Sequence, residues 1–104
     1  MIVAGTDIVD SCFKSRAGHR GIKAARAQFA AWLAIAASST WKTQEDVKEA
    51  HPMACVLKGG RVLFHIKAKN SFRLIALTRR RDAVLLIRFC GSPEEYARID
   101  AQSV

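Results

Sequence analysis

Two arginines, Arg73 and Arg88, stand inside apolar runs, where a guanidinium finds little to bond unless an anion comes to it. The first run is Ser71-Phe72-Arg73-Leu74-Ile75-Ala76-Leu77-Thr78, and the second is Ala83-Val84-Leu85-Leu86-Ile87-Arg88-Phe89-Cys90. Both are rich in strand formers and flank the turn Arg79-Arg80-Arg81-Asp82, so a β-hairpin is expected. Side chains alternate faces along a strand. If Thr78 faces Ala83, the pairs are Leu77 with Val84, Ile75 with Leu86 and Arg73 with Arg88. A three-residue turn would change the parity and separate the two arginines. Like charges across a ladder are destabilising, and an anion between them relieves the repulsion. The planar fork of Arg suits phosphate and keeps its charge at any working pH. The other reading is two strand-edge arginines reaching out to water.

The elements that must carry this hairpin follow from pattern. Met1-Ile2-Val3-Ala4 reads as an edge strand. Thr6 or Asp7 can cap a helix over roughly Ile8 to Ser15, which Ala17-Gly18 breaks. A longer helix is expected from about His19 to Ala37, with Ile22, Ala25, Phe29, Trp32, Leu33 and Ala36 forming its core stripe. Arg16, Arg20, Lys23 and Arg26 form a second line at the same spacing, either a solvated face or an extension of a nucleic-acid contact. Thr43 with Asp46 is close to a capping box for a short helix that His51-Pro52 stops. Strands around Ala54 to Leu57 and Val62 to Ile66 flank the turn Lys58-Gly59-Gly60-Arg61. In the second, Val62, Phe64 and Ile66 share one face, and Leu63, His65 and Lys67 the other. Ser92-Pro93-Glu94-Glu95 is a helix start with a capping box, placing the Tyr96 phenol at the sheet end that carries Arg88. The expected fold is α+β: a small antiparallel-type sheet, two N-terminal helices packed on one face and a short C-terminal helix, in one domain over 1–104.

The chain has 104 residues, 50% of them hydrophobic and 25% charged, values of a globular protein. Its net charge is +8. Residues 1–57 hold seven Lys/Arg against five Asp/Glu, and residues 58–104 hold ten against four, so the excess lies in the sheet half. That is the electrostatic footprint of a polyanion partner. Cys12, Cys55 and Cys90 form no CxxC pair and sit among apolar residues, so buried, reduced thiols in a cytoplasmic protein are expected. His19, His51 and His65 are scattered, and neither a metal nor a cofactor is assigned. No leader pattern marks the chain for export, and the apolar stretch Ala27 to Ala37 is too short for a membrane span.

Trp41, Asp46-Val47-Lys48, His51-Pro52, Arg61-Val62-Leu63-Phe64, Asn70-Ser71-Phe72-Arg73-Leu74-Ile75, Ile87-Arg88-Phe89 and Glu95-Tyr96 together resemble the HigB-type toxins of the RelE/ParE superfamily. The family pattern runs approximately W, D-L-K, v-F-n-i, g-N-k-y-R-L-i, v-y-I-R-f-i-g and T-H-x-E-Y-D. The likeness spans residues 41 to 100, and the N-R-L, I-R-F and E-Y elements keep the family's order.

The resemblance implies a cytoplasmic toxin of a type II toxin–antitoxin system: an endoribonuclease that cleaves mRNA on the ribosome and is neutralised by a HigA-type antitoxin with a helix-turn-helix domain. It implies catalytic roles for Arg73, Arg88 and Tyr96, with Lys67 where the wider superfamily places basic catalytic residues. Asn70 matches the family Asn, and Lys69, Arg79, Arg80 and Arg81 are the expected further RNA contacts. The chain departs from the pattern where the closing motif has His and Asp, here Pro93 and Ala97. It also has His65 where the family has Asn; in the turn register that puts His65 on the Arg73 side it can supply the missing imidazole, and otherwise it is a half-exposed strand residue. Two alternatives stay open: a non-catalytic ParE-like toxin, and a plain RNA- or ribosome-binding domain on the same fold.

Overall fold

The computed structural model describes residues 1–66 and 72–104. In chain order the elements are β1 (Ile2–Ala4), α1 (Thr6–Lys14), α2 (Ile22–Ser38), α3 (Gln44–Ala50), β2 (Cys55–Val56), β3 (Arg61–Ile66), β4 (Phe72–Arg79), β5 (Val84–Gly91) and α4 (Pro93–Tyr96). The strands form one five-stranded sheet in the order β1-β5-β4-β3-β2. All neighbouring pairs are antiparallel except β1 with β5, which run parallel, so the sheet is mixed rather than purely antiparallel. The α+β class, the edge position of β1 and the short C-terminal helix are as expected from the sequence. No helix among the described residues is long and apolar enough to cross a membrane.

Alternation divides the sheet residues cleanly. Val62, Phe64, Ile66, Phe72, Leu74, Ala76, Leu85, Ile87 and Cys90 join the core with Val9, Cys12 and Phe13 of α1 and Ala25, Trp32 and Ala36 of α2. Ile22, Phe29 and Leu33 pack at the margin of this cluster, completing the helical stripe read from the sequence. Leu63 and Ile75 are also buried, but on the opposite face. There α4 contacts β4 and β5, and Nε of Arg61 donates to the Val104 carbonyl at 2.9 Å. The central strand is therefore covered on both sides.

Local chemistry sets the helix ends. Thr43 and Asp46 make a complete capping box at α3, as do Ser92 and Glu95 at α4, with Pro93 in its first turn. At α1 the expected Thr6 or Asp7 cap is absent. The cap residue is Gly5 in the left-handed region (φ 87°), with no side-chain bond. Close packing explains the choice: a Cβ on Gly5 would lie 2.6 Å from the Ile87 carbonyl oxygen. Gly5→Ala is therefore expected to destabilise the protein by roughly 1–3 kcal/mol, read as a lower urea midpoint at unchanged m-value.

Candidate active site

β3 and β4 carry two of the expected site residues, His65 and Arg73, on the face away from α1 and α2. His65 opposes Arg73 across the β3–β4 ladder. Nη1 of Arg73 lies 2.9 Å from Nδ1 of His65. A guanidinium has donors only, so Nδ1 is the acceptor and the neutral ring carries its hydrogen on Nε2. Across the other ladder Arg73 opposes Gly91. The Phe89 ring and the Glu95 side chain fill the space a side chain at 91 would need, with a Cβ falling 2.7 Å from the ring and 3.2 Å from the carboxylate.

The expected pairing of Arg73 with Arg88 does not form. The hairpin closes with Arg79 opposite Val84, around a 3-10 turn at Arg80–Asp82 and Ala83 at φ 55°. Ala76 then opposes Ile87 while Ile75 opposes Phe89, so Arg88 is the extra residue of a β-bulge. Turn and bulge together move the register three positions from the one expected. Arg88 is exposed, Arg73 half-buried, and among the described residues neither has a carboxylate within ion-pair distance.

Tyr96 ends α4 with its ring 6.5 Å from Phe89, which shares the Arg73 face. Of the turn arginines, Arg79 pairs with Asp82 at 3.3 Å in a largely exposed contact, and Arg81 is exposed. Lys67, Lys69 and Asn70, and the side chain of Arg80, lie outside the described residues. Among the described residues no three or more His, Cys, Asp or Glu are gathered to hold a metal ion.

A contact that the sequence does not signal ties the site to the helical layer. Arg16 forms an ion pair with Glu95, 79 positions away in the chain. Its guanidinium lies 5.6 Å from the centre of the Phe72 ring. Arg16, His19, Arg20, Phe72, Glu95 and Arg98 line a groove of about 630 Å³ at this end of the sheet. Of the helix-face line read from the sequence, Arg16 and Arg26 are occupied by Glu95 and Asp10, while Arg20 and Lys23 are exposed. Cys12 and Cys90 are buried as expected, whereas Cys55 is exposed because β2 is an edge strand of two residues.

An α+β fold built on a five-stranded mixed sheet with helices is compatible with a RelE-like protein. The family model for the HigB toxin, the RelE-like toxic component of a toxin–antitoxin system, matches residues 25–99, and the chain belongs to that family. It is accordingly the toxin of such a system, with an antitoxin as its partner. No individual curated protein matches the sequence.

Glu95 links the cap of α4 to Arg16, and its carboxyl is held below the ordinary 4.5, first by the Ser92 backbone N–H and then by Arg16. A carboxyl with a lowered folded-state pKa confers stability that is present above its unfolded value and lost as pH falls through the folded one. Between about pH 5 and pH 3 the urea midpoint of Glu95→Gln should therefore fall less than that of the parent protein.

Proposed function

We propose that this toxin is a ribosome-dependent mRNA endoribonuclease, acting in the cytoplasm and neutralised by a HigA-type antitoxin with a helix-turn-helix domain. The observation that carries the reading is Arg73: a half-buried guanidinium on a covered strand, without a carboxylate partner among the described residues and bonded to the His65 imidazole. A fixed positive group of this kind suits a phosphate whose charge grows during reaction.

The reaction is in-line attack of a ribose 2′-OH on the adjacent phosphate, with departure of the 5′-oxygen. Arg73 offsets charge on the phosphorane. Arg88, exposed on the bulge, reaches the same strand of RNA from a separate direction. Tyr96 stacks on a splayed base or orients it. His65 supplies the imidazole that Pro93 lacks, and the geometry sets a condition on it. While Nδ1 accepts from Arg73 and Nε2 bears the hydrogen, neither nitrogen can take a proton. In this reading His65 acts as base once the Arg73 guanidinium turns to the phosphate. Lys67, Lys69, Asn70 and the turn arginines Arg79, Arg80 and Arg81 complete the RNA-binding set in this reading.

Pro93 and Ala97 favour a second reading, a non-catalytic ParE-like toxin on the same fold, because the closing motif lacks its imidazole and carboxylate. A translation extract with end-labelled mRNA separates the two. Under the first reading cleavage appears only with ribosomes, and Arg73→Ala reduces its rate by about 10²-fold or more. Arg73→Lys recovers little of it, since a point charge does not replace the fork. Intact mRNA together with inhibited DNA supercoiling would instead select the second.

A further inference from the structure

We propose that two adjoining cavities at the open edge of β3 form one recess that takes a base of the RNA, beside the phosphate assigned to Arg73. The identity of this ligand rests on the ribonuclease reading. β2 pairs only with Val62 and Leu63, so beyond them the outer edge of β3 has no strand beside it among the described residues. Phe64 from one face and His65 from the other both border that opening. One cavity, of about 190 Å³, is lined by Trp32, Ile35 and His51. Its neighbour, of about 220 Å³, is lined by Met53, Phe64 and again His51. Gln28 and His65 border both.

Two buried polar atoms at this recess lack a hydrogen-bond partner among the described residues, Nε1 of Trp32 and Nε2 of His51. Trp32 is only 4% exposed, and native structures rarely leave a buried donor without a ligand or water to meet it. Both rings stand edge-on to one Phe64 ring, each centroid 5.2 Å from it, so the two unpaired atoms belong to one aromatic cluster. The indole N–H only donates. Burial lowers the His51 pKa, so its imidazole is neutral, and Nε2 accepts when the hydrogen sits on Nδ1. The Watson–Crick edge of a base sets an acceptor beside a donor, the complement of such a pair. The described lining of both cavities has no Asp, Glu, Lys or Arg, which suits a neutral ring and not a charged group. Each cavity is smaller than the roughly 300–1,000 Å³ of whole-ligand pockets, so the occupant is one ring system and not an entire nucleotide. Ile35 and Met53, 41% and 65% exposed, give the mouth apolar surface for a base to lie on, and the unbranched Met53 can move aside. His65 joins the recess to the site, since it borders both cavities while its Nδ1 lies 2.9 Å from Nη1 of Arg73. A nucleotide whose phosphate meets Arg73 thus has the recess on the other side of a single imidazole.

The test titrates protein carrying isotope-labelled indole nitrogens with the four ribonucleosides, which have no phosphate and so make no demand on Arg73. The chain has two tryptophans, Trp32 and Trp41, and Trp32→Phe assigns their N–H signals. At least one ribonucleoside should move the Trp32 signal downfield to saturation, with a much smaller change at Trp41. Equilibrium dialysis should then show that nucleoside bound roughly 2- to 10-fold more weakly by Trp32→Phe, which keeps an aromatic ring and loses the N–H. Gln28→Ala, at an exposed position that leaves the core untouched, should weaken it similarly. No saturable shift with any of the four, equal shifts at Trp32 and Trp41, or undiminished binding in both variants would each overturn the proposal. Arg73-dependent cleavage of mRNA by a protein whose Trp32 signal never moves would strike the recess and leave the ribonuclease reading standing. A shifted Trp32 signal in a protein that leaves mRNA whole would do the reverse.

Discussion

Three consecutive residues of β4, Leu74, Ile75 and Ala76, have no exposed surface although their side chains alternate between faces. The strand is therefore held by packing on both sides, by α1 and α2 on one and by the C-terminal segment on the other. Burying one such side chain is worth about 1.5–3 kcal/mol, whereas a polar cross-strand pair contributes roughly 0.2–1 kcal/mol. Packing, not the Arg73–His65 bond, decides where Arg73 points. A one-residue slip would turn Arg73 into the core and Leu74 out of it, which that difference in energy forbids. The Arg73 guanidinium is aimed by its apolar neighbours.

The bulge at Arg88 works in the other direction. Where β4 is pinned residue by residue, β5 admits an extra one, and its Arg leaves the regular alternation. A bulge bends the strand and re-aims the side chain at the point of insertion. Two arginines in register would have paid a repulsion that only a bound anion could offset. Separated by the bulge, one is held on the covered face and the other stands exposed, so the free protein carries no such strain. The basic face is thereby stable without a bound anion.

What the sequence made legible was whatever is local. The capping boxes at Thr43 and Ser92, the stripe from Ile22 to Ala36 and the two faces of β3 all depend on residues a few positions apart, and all are observed. The register of the hairpin was not legible, because it depends on a turn that lets Ala83 take a positive φ and on a bulge that no residue type announces. The Gly5 cap was missed for a related reason. Thr6 and Asp7 are good capping residues, but the approach of Gly5 to the Ile87 carbonyl belongs to tertiary packing. Of the site, His65 facing Arg73 is one of the registers that parity allows, while the contact of Arg16 with Glu95 joins residues with no periodic relation.

That last contact explains how a helix of four residues holds a fixed place. Helices so short do not persist on their own, since nucleation costs more than one turn returns. The Ser92–Glu95 capping box satisfies the first orphan N–H groups of α4 but does not say where the turn sits on the sheet. Glu95 answers both needs at once. Its carboxylate accepts from the Ser92 N–H within the cap and pairs with Arg16, whose guanidinium also lies over Phe72, the residue next to Arg73. Because Arg16 is itself anchored on Cys12 of α1, the position of α4 is referred to the helical layer and to the start of β4 together. Tyr96, the next residue, inherits that position. The phenol and the Arg73 guanidinium thus share one mechanical reference, a partly buried cation that touches neither of them.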